Sequence, residues 1–222
     1  MNLPLRRIFR APGLEADEGT ERLEAFSDGV FAFAITLLVV ELHVPQPPAN
    51  PAHFNLAGAM LQQWPIFFAW VLSIVNLGIY WANHHYLMKL YARTDHFARL
   101  LHVGFLMTLT FLPYPTEVLG TYIRLPDQQV TAVQVYALGL LAPATGWSVT
   151  WWYACRAGLV DERLDPDFVK ALSVRHHLSV LPFILAFAVS YINWALGLLI
   201  ILDIVGVYLA PPPLPVYRPE SP

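Results

Sequence analysis

Residues 22–41 read RLEAFSDGVFAFAITLLVVE, and this stretch restricts the chain more than any other. From Gly29 to Val40 it carries no charge. As a helix rising about 1.5 Å per residue it spans much of a hydrocarbon core about 30 Å thick. A carboxylate, Asp28, stands at the mouth of that run, where an acid is expensive and needs a reason. The whole chain has the same character: of 222 residues, 56% are hydrophobic and 13% charged, and mean hydropathy is +0.49. Soluble domains carry about 25% charged residues. The expectation is an all-α integral membrane protein. A net charge of −3 gives no footprint for nucleic acid. The single cysteine, Cys155, excludes an internal disulfide and offers no redox motif. The N-terminal residues hold Arg6, Arg7 and Arg10 without an apolar run, so the first spanning helix is expected to direct insertion, with no cleaved signal.

Charge gaps and prolines predict six crossings: about Glu21–Val44, Leu56–Leu90, Thr94–Leu119, Val130–Arg156, Pro166–Tyr191 and Trp194–Ala210. Pro45, Pro47, Pro48 and Pro51 close the first, and Pro211, Pro212 and Pro213 the last, because proline cannot continue a helix. The run after His176 is too long for one crossing and divides at Tyr191-Ile192-Asn193-Trp194. Three parts result: residues 1–20 as a cytoplasmic N-terminal segment, 21–210 as a six-helix transmembrane domain, and 211–222 as a proline-rich cytoplasmic tail. Twelve of the 13 basic residues fall on one side in this topology, and Arg124 is the exception. The positive-inside rule makes that side cytoplasmic, with both termini on it, in a cell (inner or plasma) membrane. Trp64 and Trp194 at one level, and Trp81, Trp151 and Trp152 at the other, read as an aromatic belt. Trp70 and Trp147 read as packing residues.

On the first helix Phe26, Phe33, Thr36, Leu37 and Val40 share one stripe. Asp28 lies about 140° from Phe33 and faces neighbouring helices. Asn83, His84 and His85 end the second crossing at the same depth, and Asp95, His96 and His102 begin the third. An inter-helix polar clamp around Asp28 is expected from Asn83, His84, His85 and His102. The plainer reading is a cap on the helix dipole. Arg22 lies off the Asp28 face. Taken alone, the stripe also fits helix packing within one subunit.

Arg22, Phe26, Ser27 and Asp28 form an Arg-x-x-x-Phe-Ser-Asp motif that resembles the prokaryotic branch of the endosomal and lysosomal potassium channel family, the transmembrane protein one-hundred-seventy-five type. Asn83-His84-His85 and Phe111-Leu112-Pro113-Tyr114-Pro115-Thr116 add to the resemblance, which covers most of the six crossings. It implies six helices per subunit and a homotetramer around the first helix. It also implies a constriction at Phe33, a hydroxyl layer at Thr36 and a further layer at Val40, with Leu37 on the same lining. The family usually has leucine or isoleucine where this chain has Phe33. An apolar ring closes a pore by dewetting. Thr36 hydroxyls replace part of the hydration shell of a transient K⁺, and no carbonyl filter sequence is present, so modest selectivity is expected.

The partners implied are other copies of the chain, the bilayer, and K⁺ with other monovalent cations. No cofactor beyond the permeant ion and no enzyme activity are expected. Ser27 has no activating base that would make it a nucleophile. His84-His85 and His176-His177 raise a metal or haem reading, yet adjacent helical histidines point about 100° apart. Asp203 lies in an apolar helix, where a buried hydrogen-bonded carboxyl is the plain alternative to function. Glu41 and Glu117 sit near the outer surface. Gly139, Ala142 and Gly146 read as a close-packing face. Two rivals to a channel remain at this point: a proton-coupled transporter using Asp28, Asp203 and His102, and a histidine-based membrane redox protein. Pro182 breaks the fifth crossing, but no matching repeat supports a transporter.

Overall fold

The computed structural model describes residues 19–49 and 54–218, and every regular element among them is helical. Helix α1 is Glu21–Val40, with Glu21 and Glu24 in its first turn, where acids suit the dipole. A short α2, Leu56–Gln62, is capped by the Asn55 side chain, which accepts from Gly58 N at 3.1 Å. Helix α3, Trp64–Met88, opens with a proline in its first turn. The third crossing is built from two pieces, α4 (His96–Thr110) and α5 (Pro113–Tyr122). Its interruption at Phe111-Leu112 falls before Pro113 and Pro115, which lack the donors a continuous helix needs.

Helix α6, Gln129–Ala157, is the longest and ends at Gly158, whose φ of 67° requires glycine's freedom. The fifth crossing is again double, α7 (Pro166–Leu178) and α8 (Leu181–Ser190), with the break before Pro182. Asn193 caps α9, Trp194–Tyr208, accepting from Ala195 N and Leu196 N. The expected division at Tyr191–Trp194 is therefore where the chain turns. Among the described residues, five stretches are long and apolar enough to cross a membrane: Glu21–Val40, Trp64–Met88, His96–Tyr122, Gln129–Ala157 and Pro166–Ser190. Trp194–Tyr208 is apolar but shorter. The protein is a multi-pass membrane protein.

Helix α6 lies at the centre, packed against α4, α5, α7, α8 and α9, while α1 lies against α3, α4 and α5. Close approach explains two glycines. An added Cβ at Gly139 would meet the Pro115 ring at 2.5 Å, and one at Gly146 would meet the Phe105 backbone at 3.2 Å. Ala142 does not share this face and is exposed. A buried hydroxyl cluster ties α3, α5 and α6: Ser73 Oγ stands 2.6 Å from Thr116 Oγ1 and 3.0 Å from Tyr136 OH.

Two connections and the C-terminal strand of chain meet on one side. Ala92 N donates to Leu159 O, Asp161 N to Leu90 O, Asp165 N to Val216 O and Arg218 N to Arg163 O, all at 2.8–2.9 Å. On the opposite side Gln63 Nε2 donates to His43 O at 2.9 Å and Arg124 Nη1 to Gln62 O at 3.0 Å. Most of the expected N-terminal segment (residues 1–18), Pro51 and residues 219–222 lie outside the described residues. Residues 211–218 run back over the bundle. Trp151 also differs from the belt reading: it is fully buried and donates to Ser173 Oγ at 2.8 Å. Trp64, Trp81 and Trp152 are exposed as a belt requires.

Candidate functional site: the first membrane helix

Helix α1 has three faces. Leu23, Ser27, Phe31, Ala34 and Leu38 recur at helical spacing and are buried against the bundle. Phe31 is the anchor of that face. Its ring meets the rings of His84 at 5.7 Å and Phe105 at 6.4 Å, both edge-on. Ser27 is fully buried, and its hydroxyl donates to Leu23 O at 2.7 Å. Ser27 thus packs the helix against the bundle.

The second face carries the acids. Asp28 Oδ1 accepts from Trp81 Nε1 at 2.9 Å. One turn earlier, Glu24 meets His85 Nδ1 at 2.5 Å. Both bonds pin the start of α1 to the end of α3. The polar link between helices exists, but its partners are not those expected for Asp28. Asn83 donates to Ile79 O of its own helix at 2.8 Å. His84 is buried in the aromatic cluster, stacked on Phe105 and edge-on to His102 at 5.8 Å. His102 turns its Nδ1 to Ala98 O at 2.9 Å. Arg22 is exposed and forms no ion pair with Asp28 among the described residues. Trp81 and Glu24, which sequence reasoning did not assign, make the contacts. The i, i+4 spacing of Glu24 and Asp28 was the available signal, since it puts both on one side of the helix.

The third face is the stripe. Phe26 is 53% exposed, Phe33 57% and Val40 62%. Thr36 is exposed and Leu37 half-buried. None of the five is taken into the core of its own subunit. The Thr36 hydroxyl donates to Phe33 O at 2.8 Å. Its proton is thereby occupied, and its oxygen lone pairs remain for a cation. Just beyond the stripe, Glu41 stands near Glu117 of α5. Partial burial, and then the neighbouring Glu117, raise the Glu41 carboxyl above the ordinary carboxylate range.

The remaining candidates are dispersed. Asp203 is exposed on α9 beside Leu199, Leu202, Gly206 and Val207. No hydrogen bond joins it to Asp28 or His102 among the described residues. His176 is buried against Trp147 and Trp151, and His177 meets Ser148 Oγ at 2.5 Å. Among the described residues no group of three or more histidine, cysteine or acidic side chains is assembled as a metal site.

The profile of the family described as endosomal/lysosomal potassium channel TMEM175 matches residues 22–113. A potassium channel of Streptomyces collinus is 36% identical over 178 residues, covering 80% of this chain and 85% of that protein. The chain belongs to the TMEM175 family. A potassium channel of Chamaesiphon minutus is 38% identical over 183 residues, covering 81% of this chain and 89% of its own length. The crystal structure of a lysosomal potassium-selective channel TMEM175 homologue from Chamaesiphon minutus superposes with a TM-score of 0.75 at 34% identity, over 86% of this chain and 96% of that one. The residues matched to the TMEM175 profile include α1 with its motif, the Asn83-His84-His85 end of α3, and α4 up to Pro113. They contain both helix-pinning bonds and the exposed stripe.

Proposed function

We propose that this protein is a potassium-permeable cation channel, and that its pathway is lined by α1 from four copies of the chain. The observation that carries this reading is the exposure of Phe33, Thr36 and Val40 along one edge of α1, while Phe31, Ala34 and Leu38 fill the bundle from the other. A membrane helix whose apolar stripe stands mostly outside the core of its own subunit needs lipid or further copies beside it. An exposed threonine inside that stripe suits an ion path better than lipid. Four Phe33 rings form a constriction that expels water when closed. The Thr36 layer on its outer side offers oxygens to a partly dehydrated K⁺.

Six crossings agree with the backbone bonds that gather alternate connections on opposite sides. The last, α9, has 15 residues, which reach only about 22 Å and need a locally thinned bilayer. The side where residues 89–95, 158–165 and 216–218 meet is also the side of most basic residues, and it is the cytoplasmic side of the cell membrane. The polar pairs Glu24–His85 and Asp28–Trp81 then hold α1 in register at its cytoplasmic end. No resident cofactor is needed, because the permeant ion is the only ligand.

The test is ion flux through liposomes holding the purified protein. A K⁺ gradient alone should drive passive flux, and the reversal potential should favour K⁺ over Na⁺. Phe33→Ala should raise basal flux several-fold by widening and wetting the constriction. Unchanged flux in an assembled variant removes Phe33 as the constriction, and equal K⁺ and Na⁺ permeability removes the Thr36 layer.

A further inference from the structure

We propose that a recess between α3, α6, α7 and α9, on the side of the bundle where the C-terminal segment lies, binds an anionic membrane lipid with Arg175 as its charge anchor. The recess is a narrow cleft of about 50 Å³, open in part to the outside. Its walls combine apolar and polar groups: Trp147, Phe183 and Ile204 against Arg175, His176 and Ser179. This is the lining an amphiphile requires, with an oily body and one charged end.

Three independent observations meet there. Arg175 lies within the fifth apolar stretch, and no carboxylate pairs with it among the described residues. Its guanidinium rests over the Tyr208 ring at 5.3 Å, which holds it in place and leaves its donors for an anion. An uncompensated cation in a spanning segment is costly, and a phosphate oxygen relieves that cost. Secondly, His176 is only 7% exposed, lines the recess, and has an Nδ1 without a hydrogen-bond partner. Thirdly, the depth is that of a head group. Arg175 stands with Tyr86 and Tyr208 at the ends of α3 and α9, and basic pockets between helices on such a face take anionic lipid heads.

The C-terminal segment forms one wall. Pro212 and Pro213 line the recess, and Tyr86 OH donates to Pro213 O at 2.7 Å. Backbone bonds from Asp165 to Val216 and from Arg218 to Arg163 fasten the segment further along. A lipid head seated on Arg175 is thus held between helices and this strap, away from the exposed stripe of α1.

The test is binding, so it stands whether or not the protein conducts K⁺. Native mass spectrometry of the full-length protein in detergent is run with phosphatidylglycerol, with phosphatidylcholine, and with inorganic phosphate alone. Wild type should retain phosphatidylglycerol in preference to phosphatidylcholine. Arg175→Gln should weaken that retention about tenfold, the effect of losing one charge-assisted contact. Arg175→Lys, which keeps the charge but loses the planar stacked fork, should weaken it less than Arg175→Gln does. Ser179→Trp, which fills the recess without touching the charge, should abolish it, and this variant decides the matter if Arg175→Gln does not fold. Equal phosphatidylglycerol binding by Ser179→Trp or by folded Arg175→Gln overturns the proposal. So does equal retention of phosphatidylcholine, or Arg175-dependent binding of phosphate alone, which marks a soluble-anion site.

Discussion

Asp28 is held by an indole, and that choice of partner has consequences at the scale of one residue. An indole N–H is a donor only and has no charge to lose. The Asp28–Trp81 bond, at 2.9 Å, therefore asks only that Asp28 remain an acceptor. Trp81→Phe keeps the apolar ring and deletes the donor, and should lower stability by about 0.5–1.5 kcal/mol. Asp28→Asn keeps a carbonyl oxygen for the indole and should cost less. Thermal unfolding in detergent reads both, and the double variant should fall short of the sum if the two side chains act as one pair. Asp28 was legible as an acid needing a partner, because its cost in an apolar setting is a property of the sequence. Trp81 was not legible. Which side chain at the end of α3 reaches Asp28 depends on how α1 and α3 are rotated about their axes, and an apolar helix leaves that rotation unmarked.

At the scale of elements the sequence was more explicit. Charge gaps set the six stretches, and Asn193 and Asp165 mark the starts of α9 and α7 because their side chains accept the orphan N–H groups there. The break inside the fifth crossing was legible in Pro182, whereas the third, with Pro113 and Pro115 near its end, read as a single helix, since a proline in a membrane helix is compatible with either outcome. Packing at the break is tight. The Pro115 ring occupies the space where a Cβ on residue 139 would stand, 2.5 Å away. Gly139→Ala should therefore cost about 1–3 kcal/mol by overpacking α5 against α6. Gly104→Ala, where nothing lies within 4 Å, should lose nothing and gain up to about 1 kcal/mol in the same unfolding measurement. A neutral Gly139→Ala would mean that α5 slides freely over α6.

For the molecule as a whole, acidity is the variable that the Glu41–Glu117 contact couples to folding. Glu41 holds its proton to higher pH in the folded protein than in the unfolded chain, through burial first and Glu117 second. The stabilisation from this pair is therefore complete below the ordinary glutamate range and is lost as pH rises through the higher folded value. Melting temperature followed upward from pH 4 should fall across that window in wild type and remain flatter in Glu41→Gln. A profile unaltered by the substitution would show that Glu41 titrates like a free side chain. The two ends of α1 are thus fastened differently: its start by Glu24–His85 and Asp28–Trp81, its end by a pair of acids that a rise in pH separates. Between these ends Phe31, Ala34 and Leu38 pack into the bundle and hold the middle of α1. Counting about 1.5 Å per residue from Asp28, Phe33 stands about 7.5 Å along the axis and Val40 about 18 Å. Loosening at Glu41 therefore reaches Val40, its neighbour, first, while Phe33 lies nearer the fastened start and between the buried Phe31 and Ala34.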